Sequence, residues 1–351
     1  MSEENQEKLS EAQHAFDLYI SDTFNRLRQA HPKASHSFLK EIGPQSFTSN
    51  SANKKGILLI HGLLDTCSTM GSLLDSFVEK GYSVKTILLP GHGTTPNDML
   101  SVKYQDWLDC AQMAMNAMNE QVDHLTIIGL SAGATIACQL AQTSDKVSRL
   151  VLFAPAFALS HSTAVLIPLI QKFNDYMPYL AKQWLVYEDQ PITDPVKYRS
   201  ITTNSVFQLL SMANSLIHNL ANSPIKCPIL TFLSSEDETI STPKAIEVLT
   251  QQPNPHNQII LYSNQAHCCD DTKIEVLSSC FPDERILNFS HICMHQSPNH
   301  PRYGKSAQVA NHYLGALTAQ NELNYAGRLS RLTFTPYYET QFEQISKFIE
   351  N

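Results

Sequence analysis

Positive charge is in short supply in this chain. Lys and Arg number 25 against 33 Asp and Glu, a formal charge of −8, and no Lys/Arg run gathers anywhere along it. That excludes the basic patch or stripe with which a nucleic-acid binder meets phosphates. Long apolar runs are missing too: nothing approaches the roughly 20 residues of a bilayer-spanning helix. The opening MSEENQEKLSEAQ is polar and acidic and has no apolar h-region, so no secretory leader is expected. Without a leader, the eight cysteines (Cys67, Cys110, Cys138, Cys227, Cys268, Cys269, Cys280 and Cys293) read as reduced thiols of a cytoplasmic protein. Cys110 and Cys138 fall in helical patterns and Cys227 just before a strand, where a thiol acts as a small hydrophobe. The adjacent pair Cys268-Cys269 fits no such pattern. No internal repeat and no low-complexity tract is visible.

What is present is alternation. Residues 3–30 carry Leu9, Ala12, Phe16, Ile20 and Phe24 near helical spacing. The Ser/Asn/Lys-rich segment 31–54 reads as a loop. From there strands and helices take turns: Ile57–Ile60, a helix near 70–80, Ser83–Leu88, a helix over 103–119, Leu125–Ile128, a helix over 131–143, and Arg149–Phe153. Such order predicts an α/β protein with a mostly parallel sheet covered on both faces by helices. It breaks after Phe153. Residues 156–225 are crowded with aromatic and aliphatic groups, among them Phe157, Tyr176, Tyr179, Trp184 and Phe207, before Pro228–Leu233 resumes the strand pattern. An insertion between two core strands, on the side where ligands sit above parallel strand ends, reads as a helical cap. The alternative is extra helices packed on the side. The expected organisation is an N-terminal helical extension over 1–54, a core over 55–155 and 226–351, and a cap over 156–225.

Glycine is also scarce, 12 residues in 351, so two glycines bracketing a serine carry weight. The apolar run Leu125–Ile128 ends in Gly129-Leu130-Ser131-Ala132-Gly133, and an Ala-rich helix follows. This is G-x-S-x-G in a strand–turn–helix setting, where a serine stands on a sharp turn with its Oγ above the sheet. The helix aims its N–H groups and positive dipole end at developing negative charge. The competing reading is a corner whose serine merely caps the helix. Upstream, strand 56–60 runs into His61-Gly62-Leu63-Leu64-Asp65. An acyl-transfer serine needs two backbone N–H donors for its oxyanion, and Leu63 and Ala132 are placed to supply them.

A serine nucleophile also needs a base and an orienting carboxylate, in the chain order Ser, Asp/Glu, His. Asp237, just past the run Pro228–Leu233, fits the acid, with Glu236 and Glu238 as flanking solvated carboxylates. For the base two histidines each end a strand-like run: His267 after Gln258–Tyr262, and His291 after Arg285–Phe289. Spacing from Asp237 leans to His267 but does not separate them. His291, His295, His300 and Cys293 match no standard zinc spacing, so no metal is expected.

HGLLD (61–65), LPGHGTTP (89–96), Trp107, GLSAG (129–133) and the Asp237 loop resemble the α/β-hydrolase family, in particular its monoglyceride-lipase and lysophospholipase-like carboxylesterases. FSHICMHQSPNHPRYG (289–304) resembles a segment of one bacterial branch, where strand-Ser-His precedes a Pro-rich stretch and Tyr-Gly; RLTFTPYYETQFEQISKFI (331–349) resembles that branch's C-terminal helix. The resemblance covers roughly 55–155 and 226–349, is weak in the cap and is absent before 45. It implies an α/β-hydrolase fold, His291 as the base and residues 264–284 as an insertion. His295 and His300 depart from the pattern. The expectation is therefore a serine esterase with Ser131, Asp237 and His291 as its triad and no cofactor. Its substrate would be a small acyl ester or monoacyl lipid, and the apolar cap would touch a membrane surface transiently. A dehalogenase would want Asp at position 131. The rivals are an amidase, peptidase or acyltransferase with the same triad and a catalytically silent binding module on the same fold.

Overall fold

In the computed structural model, the structure describes residues 3–49, 54–160, 184–186, 196–198, 200–265, 271–307, 311–315 and 327–351. Helix α1 (Glu3–Ala30) leads into α2 (His36–Ile42) and a two-residue strand β1 (Ser46–Phe47). The expected loop over 31–54 is thus partly ordered structure. One of its serines is a capping residue: Ser35 Oγ accepts from Phe38 N at 3.1 Å and starts α2.

The alternating segments build an eight-stranded sheet. After β1 come β2 (Lys55–Ile60), α3 (Gly71–Glu79), β3 (Ser83–Ile87), α4 (Tyr104–Asn119), β4 (His124–Leu130), α5 (Ala132–Thr143) and β5 (Val147–Phe153). A hairpin of β6 (Trp184–Val186) and β7 (Ser200–Thr202) and helix α6 (Thr203–Leu220) follow. The sheet resumes with β8 (Ile229–Ser234), α7 (Thr242–Thr250), β9 (Gln258–Ser263) and β10 (Ile274–Ser278), and α8 (Tyr338–Glu350) comes last. Strand order is β1-β3-β2-β4-β5-β8-β9-β10, with every pairing parallel except β1 on β3. Parallel neighbours need crossovers, and α3, α4, α5 and α7 provide them. The central strands are apolar on both faces because helices cover both: Ile57, Leu58, Leu59, Ile127, Ile128, Val151 and Phe232 are fully buried. Each such side chain contributes roughly 1.5–3 kcal/mol by leaving water.

Three differences from the sequence reading matter for the site. Arg285–Phe289, expected as a strand, is a turn in which Arg285 takes a left-handed φ of 60° and Ile286 makes only single bridges to Phe281 and Tyr313. The strand lies earlier, as β10, inside the stretch expected as an insertion. Of the expected cap, residues 161–183, 187–195 and 199 fall outside the described residues. Its last part, α6, lies against α4 and α5 and buries Leu209, Met212 and Leu216 in the main core. Among the described residues no helix is long and apolar enough to cross a membrane.

Candidate active site

Ser131 sits between β4 and α5 with φ 53° and ψ −112°, a conformation that non-glycine residues avoid. The neighbours that hold it there are backbone groups. Ser131 N donates to Phe153 O at 2.8 Å, and Ser131 O accepts from Ala134, Thr135 and Ala156 N–H groups at 3.1–3.2 Å. Gly129 and Gly133 make the corner feasible. A Cβ on Gly129 would stand 2.4 Å from Gly133 O, and one on Gly133 would stand 2.2 Å from Ile60 O. Strand, turn and helix are therefore in backbone contact, and the strain of about 1–3 kcal/mol at Ser131 is held by its surroundings.

The loop after β2 lies over this corner. A Cβ on Gly62 would come within 3.4 Å of Ser131 Cβ. His61 fixes the loop from beneath: its Nε2 accepts from Leu89 N at 3.1 Å, so its Nδ1 carries the proton and donates to Gly62 O at 2.7 Å. Burial lowers the pKa of His61, and the neutral ring serves both bonds. Leu63 is next in the chain, and Leu64 takes a left-handed φ of 66°. Asp65 is buried and pairs with Lys197 Nζ at 2.8 Å. Burial pushes the Asp65 pKa up, but the Lys197 charge and bond outweigh it and hold the carboxyl below its ordinary value.

Sequence reasoning missed the segment Val196–Tyr198. Besides the Lys197 pair, Tyr198 N donates to Leu64 O at 3.0 Å. Tyr198 OH donates to Gly91 O at 3.1 Å and accepts from Thr94 N at 2.8 Å. One tripeptide of the β5–β8 insertion therefore grips both the HGLLD and the LPGHGTTP loops. No motif announces it; the only hint is an acid in HGLLD that needs a partner once buried.

Asp237 lies on the turn after β8. Its Oδ1 accepts from Thr239 N (2.8 Å) and Ile240 N (3.0 Å), which locks the carboxylate. Its Oδ2 faces His291 Nδ1 at 2.7 Å. A carboxylate only accepts, so His291 Nδ1 is the donor, and in the neutral ring Nε2 is left with the lone pair. The backbone before His291 is pinned by Ser234 Oγ, which donates to Phe289 O at 3.2 Å, and by Ser290 Oγ, which donates to Leu332 O at 2.5 Å. The structure thus brings Asp237 and His291 together, and His267 lies outside the described residues.

The flanking carboxylates are not solvated as expected. Glu236 accepts from Ser235 Oγ (2.7 Å), Ser279 Oγ (3.0 Å) and Asn264 N (2.8 Å), which ties the ends of β8, β9 and β10 together. Glu238 pairs with Arg331. Among the described residues no group of three or more His, Cys, Asp or Glu side chains is placed to hold a metal ion.

A mostly parallel sheet, a strained serine at the strand–helix corner and a carboxylate–imidazole pair past later strands define a hydrolase of the α/β-hydrolase fold, of the esterase/lipase type. Residues 51–269 match the sequence profile of the family described as serine aminopeptidase, S33, and the chain belongs to that family. The match takes in Ser131 and Asp237 and stops short of His291. A thermostable monoacylglycerol lipase of Bacillus sp. (strain H-257) is 24% identical over 217 residues, 60% of this chain and 82% of that protein. Among solved structures, one from work on the metagenome-derived lipolytic enzymes LipS and LipT superposes with a TM-score of 0.54 at 21% identity, covering 63% of this chain and 87% of that one. The monoacylglycerol lipase of Paleococcus ferrophilus gives 0.53 at 16% identity, covering 63% and 88%.

Proposed function

We propose that this chain hydrolyses carboxylic esters through an acyl-enzyme, with Ser131 as nucleophile, His291 as base and Asp237 as orienting acid. The observation that carries the reading is the Asp237–His291 pair on the same protein that holds Ser131 at a strained elbow. His291 Nε2 takes the proton as Ser131 Oγ attacks the acyl carbon. The N–H groups of Leu63 and Ala132 receive the oxyanion, His291 returns the proton to the leaving alkoxide, and a water then repeats the sequence to release the acid. Asp237 holds the ring through Nδ1 and stabilises the imidazolium as it forms.

A monoacyl lipid such as a monoacylglycerol or lysophospholipid is the substrate class this reading favours. The curated relative and one of the two solved neighbours named above are monoacylglycerol lipases. An aminopeptidase, the activity in the family's description, has to hold a substrate ammonium. Here the carboxylates described around the HGLLD loop and the imidazole are already paired: Asp65 with Lys197, Asp237 with His291, Glu238 with Arg331. That argues for an ester over an amino-terminal peptide, and the apolar and aromatic side chains that crowd the sequence of 156–225 favour an acyl chain in it.

The test is fluorophosphonate labelling with p-nitrophenyl ester turnover, in the parent and in Ser131→Ala. The parent should label at Ser131, and the variant should lose label and at least about 10³-fold in kcat, since the three groups act as a unit. An unlabelled parent would make the chain a binding module. Turnover should rise with acyl length at up to about 0.8 kcal/mol per buried CH₂ until the pocket is full. A flat series from acetate to palmitate would remove the lipid reading.

A further inference from the structure

Two histidines that the sequence singles out, His295 and His300, have no part in the chemistry above. The structure gives them different surroundings. His300 Nδ1 accepts from the N–H groups of Arg302 (3.1 Å) and Tyr303 (3.0 Å), so it braces its own turn. His295 reaches across to another loop. Its Nε2 donates to Thr69 O at 2.7 Å, and the neighbouring Gln296 Nε2 donates to the same carbonyl at 2.7 Å. Ser72 Oγ completes the join: it donates to Gln296 Oε1 at 3.0 Å and accepts from Ser297 N at 3.2 Å.

A carbonyl only accepts, so His295 carries its proton on Nε2. Its Nδ1 lone pair is buried with no partner among the described residues, and the ring, 1% exposed, lies with its centroid 5.6 Å from that of Phe153. An idle buried nitrogen costs stability that a phenylalanine of similar shape would not lose. What the histidine offers over phenylalanine at this place is the donor to Thr69.

Thr69 belongs to the turn Cys67–Met70, which follows Gly62–Asp65 after the single residue Thr66. His295 is four residues past His291. The loop before His291 is held separately, by Ser234 and Ser290. The loop after it is held by Thr69. We propose that His295 is a positioning residue: with Gln296 it latches the loop that presents His291 to the turn behind the oxyanion loop, and so keeps the imidazole and the Leu63 N–H in register about Ser131. This rests on the acyl-transfer reading. A second tie joins the same two segments from outside, where Glu41 accepts from Ser68 Oγ at 2.7 Å and from Arg302 through two bonds of 3.0 Å. Registration of this kind bears on turnover, because a misplacement of about 1 Å costs about 10²-fold.

Three variants test it. His295→Gln keeps an amide donor within reach of Thr69; His295→Phe keeps the volume and removes the donor; Gln296→Met removes the other half. For each, kcat and KM on a p-nitrophenyl ester, the rate of fluorophosphonate labelling and Tm are measured on the full chain. His295→Phe should lower kcat and the labelling rate together by about ten- to a hundredfold with KM within about threefold, and His295→Gln should stay within about threefold of the parent. Parental kcat in His295→Phe overturns the latch. Equal losses in His295→Phe and His295→Gln also overturn it, because shape and not the donor would then matter. Should His295→Phe fail to fold, parental kcat in Gln296→Met overturns it in its place. Ser131→Ala run alongside separates the two readings: a fully active Ser131→Ala removes the acyl-transfer reading, whereas an inactive one beside a normal His295→Phe removes only the latch.

Discussion

Asp237 uses its two oxygens for different things, and that division sets what a substitution there does. Oδ1 holds its own turn through Thr239 and Ile240; Oδ2 holds His291. Asn at 237 can keep the turn with its carbonyl, but it then turns an NH₂ toward His291 Nδ1. The imidazole must answer with a lone pair there and a proton on Nε2, the wrong tautomer for a base. Asp237→Asn should therefore leave Tm nearly unchanged and lower kcat by up to about 10⁴-fold, as in the serine-protease triad. Glu236 should behave in the opposite way. It accepts from three serines and a backbone N–H between strand ends, so Glu236→Gln should leave kcat near the parent and cost about 1–3 kcal/mol of stability in urea unfolding. A silent Asp237→Asn with a dead Glu236→Gln would move the acid to 236.

At the scale of elements, the N-terminal helix is an integral support. Tyr19, on α1, accepts from Leu88 N at 2.8 Å and donates to Leu88 O at 2.9 Å. One half-buried hydroxyl thus satisfies both backbone groups of the residue that follows β3, next to Leu89, whose N–H holds His61. Tyr19→Phe would leave that N–H and C=O without their partner and should cost about 1–3 kcal/mol, read as a lower urea midpoint at unchanged slope. No change in midpoint would mean that α1 is only draped on α4. The helical period of 3–30 made this element legible in the sequence, but its docking partner was not, because periodicity marks a buried face without naming what covers it. The same limit explains the rest of the pattern. β2 to β5 could be read because long apolar runs between helices admit only a buried parallel sheet, and Ser131 because glycines at 129 and 133 are required by backbone contact. Choosing between His267 and His291 could not be done by spacing, since it depends on whether the chain adds β10 before it returns over the strand ends. Lys197 carries no local signal at all; its partner Asp65 lies 132 positions away in sequence.

On the scale of the whole molecule, three buried histidines make stability depend on pH. Burial lowers His61, holds His92 down at about 3 and His295 at about 4. Each has a structural reason to stay neutral. His61 Nε2 is already an acceptor from Leu89 N, and the remaining nitrogens, His92 Nε2 and His295 Nδ1, are buried with no acceptor among the described residues to meet a proton. Asp65 favours their charged forms, but burial, joined by the Lys197 charge at His61 and His295, outweighs it. In the unfolded chain the same rings titrate near 6.5. Below that value the unfolded state takes up protons that the folded state refuses, so the contribution is full above about pH 7 and is lost as pH falls from about 6.5 toward 4. The slope approaches about 1.4 kcal/mol per pH unit for each of His92 and His295, hence about 3 for the two, and His61 adds to it in the same direction. Below about 4 His295 and then His92 protonate in the fold as well, and the loss passes to carboxylates such as Asp65 whose pKa is depressed. Urea unfolding at pH 7.5, 6 and 5 should show stability falling by several kcal/mol across the series. His295→Gln should reduce the slope by the share of one proton, about 1.4 kcal/mol per pH unit. A curve flat from pH 7.5 to 5 in the parent would mean that these rings are charged in the folded protein, and that the neutral tautomers assigned to His61 and His295 are wrong.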